Sequence, residues 1–146
     1  MIRAAERKDV PRVWALIQEL ADYERLAHAV TGNASDLERH IFDERLCLVF
    51  VLEKDEEVIG YTLSFPIYST FRTAPGLWLE DLYVTPSERG KGFGKALLLH
   101  LLRYCRENGL ARLDWSVLDW NEPSIEFYKA MGADVMPDWR ICRVSF

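Results

Sequence analysis

A glycine-rich stretch at residues 89–95, which reads RGKGFGK, constrains the fold more than any other part of the chain. Residues 77–84 precede it with the apolar character of a strand, and residues 96–105 follow with apolar positions at helical spacing. Glycine allows the backbone to approach an anion, and a helix N-terminus offers N–H groups and partial positive charge. The sequence therefore predicts a phosphate-binding turn between a strand and a helix.

The spacing of the glycines distinguishes between known phosphate-binding motifs. The dinucleotide motif G-x-G-x-x-G, counted from Gly90, would need glycine where residue 95 is lysine. The P-loop G-x-x-x-x-G-K-[ST] would need other residues in place of Arg89 and Ala96. The pattern R-x-x-G-x-G fits, with Arg89, Gly92 and Gly94. On spacing alone, a turn that only caps the helix stays an alternative.

Helical periodicity and capping residues predict the other helices. The first helix opens at Asp9, and a capping-box pattern at residues 35–38 opens the second. A short helix follows Asn121, with Pro123 in its first turn. No repeat or linker interrupts residues 1–146, so we expect one domain.

Apolar and β-branched runs predict the strands. Residues 46–53 and 58–65 flank a charged turn and indicate a β-hairpin. Gly76 ends a loop before the strand at 77–84, and residues 110–118 and 139–146 give two more strands. The predicted order is β-α-α-β-β-β-α-β-α-β, a mixed α/β domain.

Charge and hydropathy exclude several classes of function. The formal net charge is -5 and no basic run is present, so we expect no nucleic-acid partner. No apolar run reaches the roughly 18 residues of a membrane span, and no signal-peptide pattern opens the chain, so we expect a cytoplasmic protein. The acidic balance suits a cationic substrate.

Cysteine and histidine provide no cofactor pattern. The three cysteines lie in apolar runs and are expected to be buried free thiols: Cys47, Cys105 and Cys142. None lies near a histidine in a recognisable motif, which argues against a catalytic cysteine. The three histidines share no metal-ligand spacing, so no metal site is expected.

The glycine turn resembles the signature of the GNAT acetyltransferase superfamily. Residues 79–84 (LEDLYV) and 119–129 (DWNEPSIEFYK) are also similar to segments of the spermidine/spermine (diamine) and thialysine acetyltransferases, as are residues 19–24. The resemblance implies a GNAT fold, with a mixed central β-sheet flanked by helices and a splayed strand pair holding acetyl-CoA. It further implies a homodimer that moves an acetyl group from acetyl-CoA to a primary amine of a small diamine, polyamine or thialysine-like substrate, by direct transfer in a ternary complex.

Acyl transfer to an amine needs a group that protonates the departing thiolate, and the resemblance gives this role to Tyr128. Tyr128 lies seven residues after Asn121 and four after Ser124, so the three share one helix face. The alternative is an aromatic side chain that only packs with Phe127 and Met131.

The amine must also lose a proton, and the resemblance gives this role to Glu80, acting through water. Glu80 and Asp81 are adjacent on a strand and should point to opposite faces. Because Glu80 shares its face with Trp78 and Leu82, we expect a raised pKa. The alternatives are a solvated carboxylate at Glu80 and an Asp81 that holds a loop or a partner residue.

The resemblance also implies binding residues. The backbone of residues 82–84 would bond the pantetheine arm as another strand does. The cofactor set is Leu82, Tyr83, Val84, Arg89, Gly90, Lys91, Gly92, Phe93, Gly94, Lys95, Asn121, Ser124 and Tyr128. The amine-binding set is Tyr23, Glu24, Glu80, Asp81, Asp114, Trp115 and Ser116.

Two features bear on the substrate. Residues 25–28 (RLAH) lack the extra carboxylates of polyamine-specific relatives, and residues 117–121 (VLDWN) look more like the thialysine branch. A protein or peptide N-acetyltransferase stays an alternative, as does a GNAT module that binds acetyl-CoA without turnover.

Overall fold

A five-stranded mixed sheet organises the first 116 residues of the chain. The computed structural model describes residues 1–146 and divides them into two units, residues 1–116 and 117–146. The strands are β1 (Ile2–Ala4), β2 (Leu48–Lys54), β3 (Glu57–Ser69), β4 (Ala74–Val84) and β5 (Leu113–Asp114). They lie in the order β1-β2-β3-β4-β5, with antiparallel pairing from β1 to β4 and a parallel β5. The expected mixed central sheet is confirmed.

Strands β2 and β3 form the predicted hairpin. Asp55 and Glu56 connect them, and both have positive φ, 51° and 66°. Such a two-residue turn matches the right-handed twist of the strands. Strand β3 continues to Ser69, beyond the predicted end at residue 65.

A long second hairpin joins β3 to β4 and places Gly76 inside a strand, so its predicted position at a loop end was wrong. A Cβ atom on Gly76 would lie 3.0 Å from the carbonyl oxygen of Arg112. The N–H of Leu77 donates to that same oxygen at 3.0 Å. Glycine is needed here because the backbone leading into β5 approaches closely.

Helices cover both faces of the sheet. In this first unit they are α1 (Val10–Tyr23), α2 (Ala34–Phe42) and α3 (Phe93–Glu107). The second unit contains α4 (Glu122–Ala130). On one face, α1 packs against β2, β3 and β4 through a buried cluster that includes Leu16, Val51 and Tyr83. On the other, Leu97 of α3 packs against Val84 and its neighbours. Consecutive residues of β4, such as Tyr83 and Val84, therefore point to opposite faces of the sheet and contribute to two separate cores.

The N-terminus of α2 differs from the prediction. Asn33 is its N-cap, and the Asn33 side chain accepts the N–H of Asp36 at 2.8 Å. Ser35 lies inside the helix, so the capping box predicted at residues 35–38 was wrong. Asparagine has at least as strong an N-cap preference as serine and competes for the position two residues earlier.

The two predicted strands after α3 were largely wrong. Only Leu113 and Asp114 of residues 110–118 join a ladder, and residues 139–146 form no strand. A strand needs a neighbour for its backbone hydrogen bonds, and local alternation does not supply one. Cys142, expected to be buried, is exposed, whereas Cys105 is buried as predicted.

None of the helices combines the length and apolar character that crossing a membrane requires. No group of three or more His, Cys, Asp or Glu side chains is placed to hold a metal ion.

A partly buried ion pair ties β1 to the start of α1. Asp9, only 5% exposed, accepts hydrogen bonds from both terminal nitrogens of Arg3, at 2.7 and 3.0 Å. It also accepts the N–H of Glu6 at 2.7 Å. These bonds, above all those from Arg3, hold the pKa of Asp9 below its usual range.

We expect Asp9→Asn to lower the free energy of unfolding near neutral pH by roughly 2 kcal/mol, because a hydrogen bond to a charged group is lost. A carboxylate with a depressed folded-state pKa stabilises the fold above its unfolded pKa, and this contribution disappears as pH falls. Urea unfolding at pH ~7 and pH ~3 should therefore show a smaller acid loss in the variant than in the parent. Asp43→Asn, which removes an exposed pair with Arg7, is the control and should change little. Equal acid losses in the parent and Asp9→Asn would contradict this assignment.

Candidate functional site

The glycine turn between β4 and α3 has the backbone that its sequence predicts. Gly90 and Gly92 adopt φ values of 76° and 85°, in the left-handed region that favours glycine. Helix α3 begins directly afterwards at Phe93, with Gly92 as its N-cap.

This turn presents backbone donors to open space. A Cβ atom on Gly90 or Gly92 would meet no protein atom within 4 Å. Helix α3 has no side-chain cap, and the N–H of Ala96 donates to Gly92 at 3.0 Å. The N–H groups of residues 93–95 therefore lack intrahelical acceptors. Such an open helix N-terminus fits a phosphate or pyrophosphate group.

The lysines near the turn have different surroundings. Lys91 donates to Glu88 at 3.1 Å, and Lys54 of β2 donates to the same carboxylate at 2.9 Å. These ion pairs hold the turn to the end of β2. Lys95 is exposed in the first turn of α3.

Arg89 points its side chain toward α1. Its Nε donates to the carbonyl oxygen of Val84 at 2.9 Å. The guanidinium carbon lies 4.7 Å from the ring centroid of Tyr23 and 5.1 Å from that of Tyr83. Arg89 thus fastens the turn to the end of β4 and to the end of α1, a role that the R-x-x-G-x-G pattern does not reveal.

An open groove of about 580 Å³ lies beside this arginine. Its lining residues come from α1, β4 and the turn: Glu19, Asp22, Tyr23, Tyr83, Pro86 and Arg89. The groove brings together three of the predicted site residues, Tyr23, Tyr83 and Arg89. Glu19, which the sequence did not single out, accepts the phenol hydrogen of Tyr83 at 3.2 Å.

Strands β4 and β5 share a ladder only at their beginnings. The paired residues are Leu77 with Leu113 and Trp78 with Asp114, whereas β4 continues to Val84. Beyond Trp78, β5 offers no partner to the backbone of β4, so the strand pair opens as the resemblance implied. Asp114 forms an ion pair with Arg112 at 2.8 Å, and Trp115 and Ser116 follow it.

Glu80 lies at a β-bulge. The register runs from Leu63–Asp81 to Ser64–Leu79, which leaves Glu80 without a partner in β3. A bulge redirects the side chain that it carries. Glu80 is exposed, and the indole Nε1 of Trp78 donates to its Oε2 at 2.8 Å. The expected apolar surroundings of Glu80 were therefore wrong: solvent and an indole N–H surround this carboxylate.

Asp81 is the desolvated carboxylate of β4. The phenol of Tyr61, fully buried in β3, donates to its Oδ2 at 2.8 Å. Burial raises the pKa of Asp81 to about 6; Tyr61 opposes this rise, and the charges of Glu80 and Glu24 add to it. The sequence missed Tyr61, although a buried tyrosine needs a partner for its hydroxyl.

Glu24, directly after α1, belongs to the same electrostatic neighbourhood. It is partly buried. Burial raises the pKa of Glu24, and the charge of Glu80 adds to the effect. Three of the predicted amine-binding residues, Glu24, Glu80 and Asp81, therefore act on one another electrostatically. Such a concentration of negative charge favours a cation.

The remaining predicted residues lie on α4 of the second unit. Asn121 is buried at the N-cap position, but its side chain does not cap the helix. Ser124 and Tyr128 follow at spacings of three and four residues and share its helix face. The ring centroid of Tyr128 lies 5.4 Å from that of Phe127. The packing of Tyr128 against Phe127, given above as the alternative to a catalytic role, is therefore present.

Comparison with known proteins places these features in context. Residues 13–133 match the acetyltransferase (GNAT) family. A thialysine N-epsilon-acetyltransferase of Bos taurus is 36% identical over 142 residues, covering 91% of this chain and 83% of that protein. The L-ornithine N5-acetyltransferase NATA1 of Arabidopsis thaliana is 30% identical over 190 residues, covering 99% and 83%. In fold, the chain is similar to the V. cholerae integron cassette protein VCH_CASS6, with a TM-score of 0.81, 22% identity and coverage of 100% and 92%.

Proposed function

The chain belongs to the acetyltransferase (GNAT) family, and from this premise we propose that it is an acetyl-CoA-dependent N-acetyltransferase for small cationic primary amines. Transfer is direct, in a ternary complex of enzyme, acetyl-CoA and amine. The observation that carries the proposal is the open glycine turn at the N-terminus of α3, which fits the pyrophosphate of the donor. We further propose a cytoplasmic homodimer.

In this proposal acetyl-CoA follows the edge of β4 and ends at the glycine turn. The N–H groups of residues 90–95 bind the pyrophosphate, and Lys95 adds positive charge. The backbone of residues 82–84 bonds the pantetheine arm where β5 offers no ladder. Arg89 contributes by fastening the turn. Asn121 and Ser124 of α4 also contact the arm.

The chemistry has three parts in the proposal. Glu80 receives a proton from the substrate ammonium group. The resulting neutral amine then attacks the thioester carbonyl. A backbone N–H among residues 82–84 polarises that carbonyl. As the C–S bond breaks, Tyr128 gives its phenol proton to the thiolate. The nitrogen loses its second proton as the amide forms, and a proton from solvent restores the Tyr128 phenol.

The acceptor site is proposed at the carboxylates Glu24, Glu80 and Asp81. Tyr23, which directly precedes Glu24 in the chain, belongs to the proposed site, as do Asp114 of β5 and the following Trp115 and Ser116. The relatives named for thialysine and L-ornithine point to an amine carried by a small molecule with a second polar group. We therefore propose thialysine, a short diamine or a lysine analogue as substrate.

We expect acetyl-CoA to stabilise the folded chain, because a ligand that binds only the folded state raises its melting temperature. At roughly 100 times its Kd the gain is about 2.7 kcal/mol. Gly92→Val should abolish the shift, since the new side chain enters the open space of the turn. Gly109→Val is the matched control: it has a positive φ of 66° and an open Cβ direction at the other end of α3. A full shift in Gly92→Val would remove the pyrophosphate assignment.

Tyr128→Phe should lower kcat by roughly 10²- to 10⁴-fold, the usual contribution of a positioned acid. Acetyl-CoA affinity, measured by titration calorimetry, should change far less. Tyr104→Phe removes a phenol from α3, away from the proposed chemistry, and should turn over as the parent does. If Tyr128→Phe kept near-parental turnover, another group or water would have to protonate the thiolate.

Thialysine or a short diamine should have a higher kcat/KM than spermine. Residues 25–28 carry no carboxylate to accompany Glu24, so the distal ammonium groups of spermine would lack partners. An unpaired ammonium placed near apolar surfaces costs binding energy. Steady-state kinetics on the three amines decide the question. A clear preference for spermine would contradict this acceptor site, and acetylation of a peptide but of none of the three amines would contradict the small-amine proposal.

A further inference from the structure

A buried phenol and a desolvated carboxylate form a hydrogen-bonded pair beside the proposed acceptor site. Tyr61 of β3 is 0% exposed and packs in the core under α1. Asp81 lies opposite Leu63 in the ladder, two residues along β3 from Tyr61, and accepts the Tyr61 phenol at 2.8 Å. Asp81 is partly buried as a whole residue.

Stability alone does not account for a carboxylate in this position. The Tyr61 hydroxyl needs an acceptor, but a neutral amide oxygen would supply one. The pKa of Asp81 is raised to about 6 by burial, and Glu80 and Glu24 add to the rise. A carboxyl group whose pKa is raised by burial and by nearby negative charges is typical of groups that transfer protons in active sites.

Resting on the proposed acetyl transfer, we propose that Asp81, held by Tyr61, takes up the proton that Glu80 receives from the acceptor amine. One N–H bond of the ammonium group breaks as an O–H bond forms on Glu80. That O–H bond then breaks as the proton passes through water and an O–H bond forms on Asp81. No electrons change hands. The proton leaves to water after the acetylated product departs, which restores the ionised carboxylate.

Glu80 and Asp81 have different roles in this proton transfer because Glu80 is exposed and Asp81 is desolvated. Glu80 is exposed at the bulge, where a substrate ammonium can reach it. Burial raises the pKa of Asp81 to about 6, so in the proposal Asp81 can hold the proton while the amine attacks. The titratable groups that face Asp81 are Tyr61 from β3, Glu80 from β4 and Glu24 from the end of α1. Tyr61 favours the ionised form, whereas the two carboxylates oppose it.

The test follows the acidic limb of kcat/KM for the amine, at saturating acetyl-CoA, because this profile reports the ionisation of the free enzyme. The parent should lose activity as pH falls below about 6, the pKa of Asp81. Tyr61→Phe removes the bond that favours ionised Asp81, so its limb should move to higher pH. Glu24→Gln removes an opposing charge, so its limb should move to lower pH. Carbon-13 NMR titration of the Asp81 carboxyl should show shifts in the same two directions.

Asp81→Asn completes the set. It should lower kcat/KM near neutral pH by roughly 10²-fold and remove the limb near pH 6. Tyr104→Phe and Glu107→Gln, on α3, are the matched controls and should leave the limb in place. A structural role for the pair would change the height of the profile in Tyr61→Phe without moving its limb.

Two results would overturn the inference, and they are distinguishable. If NMR showed the expected shifts of Asp81 while the limb stayed fixed in Tyr61→Phe and Glu24→Gln, the proton would not pass to Asp81, and acetyl transfer would stand. If the parent chain bound acetyl-CoA but acetylated no amine at any pH, the proposed function would fail and this inference with it.

Discussion

The ladder between β4 and β5 ends at Trp78, and the candidate site depends on that early end. Strand β4 keeps its pairing with β3 as far as Val84, while its other edge loses the ladder. Backbone polar groups need partners, and an extended ligand can supply them much as a strand does. The bulge at Glu80 and the glycine turn both lie along this same stretch of chain. In the proposed function, one strand therefore positions a surface for the donor and a carboxylate for the acceptor.

Electrostatics give the two sides of β4 different chemistry. At its end, the uncapped N-terminus of α3 and Lys95 favour an anion. On the side of α1, Glu24, Glu80 and Asp81 concentrate negative charge and favour a cation. Arg89 is held at the end of β4 by two aromatic rings and a carbonyl oxygen. An acetyl donor that carries phosphates and an acceptor that carries ammonium groups match these two regions.

The sequence predicted the features that local sterics dictate. The glycine turn, helix α3 and the β2–β3 hairpin follow from positive φ, helical periodicity and turn chemistry, which neighbouring residues decide. It did not predict the bulge at Glu80 or the Tyr61–Asp81 bond, because both depend on register between strands. The strand predicted at residues 139–146 was wrong because alternation indicates a strand without guaranteeing a partner. The apolar surroundings predicted for Glu80 were wrong because a bulge changes where its side chain points.

The central claim is that acetyl-CoA binds through the backbone of the glycine turn. Amide hydrogen exchange with and without acetyl-CoA tests it most directly, because it reports each N–H group separately. The account predicts that the amides of residues 90–95 and 82–84 become protected, while those at the far end of α3, around Gly109, exchange as before. Binding of acetyl-CoA that left the amides of residues 90–95 unprotected would contradict the account.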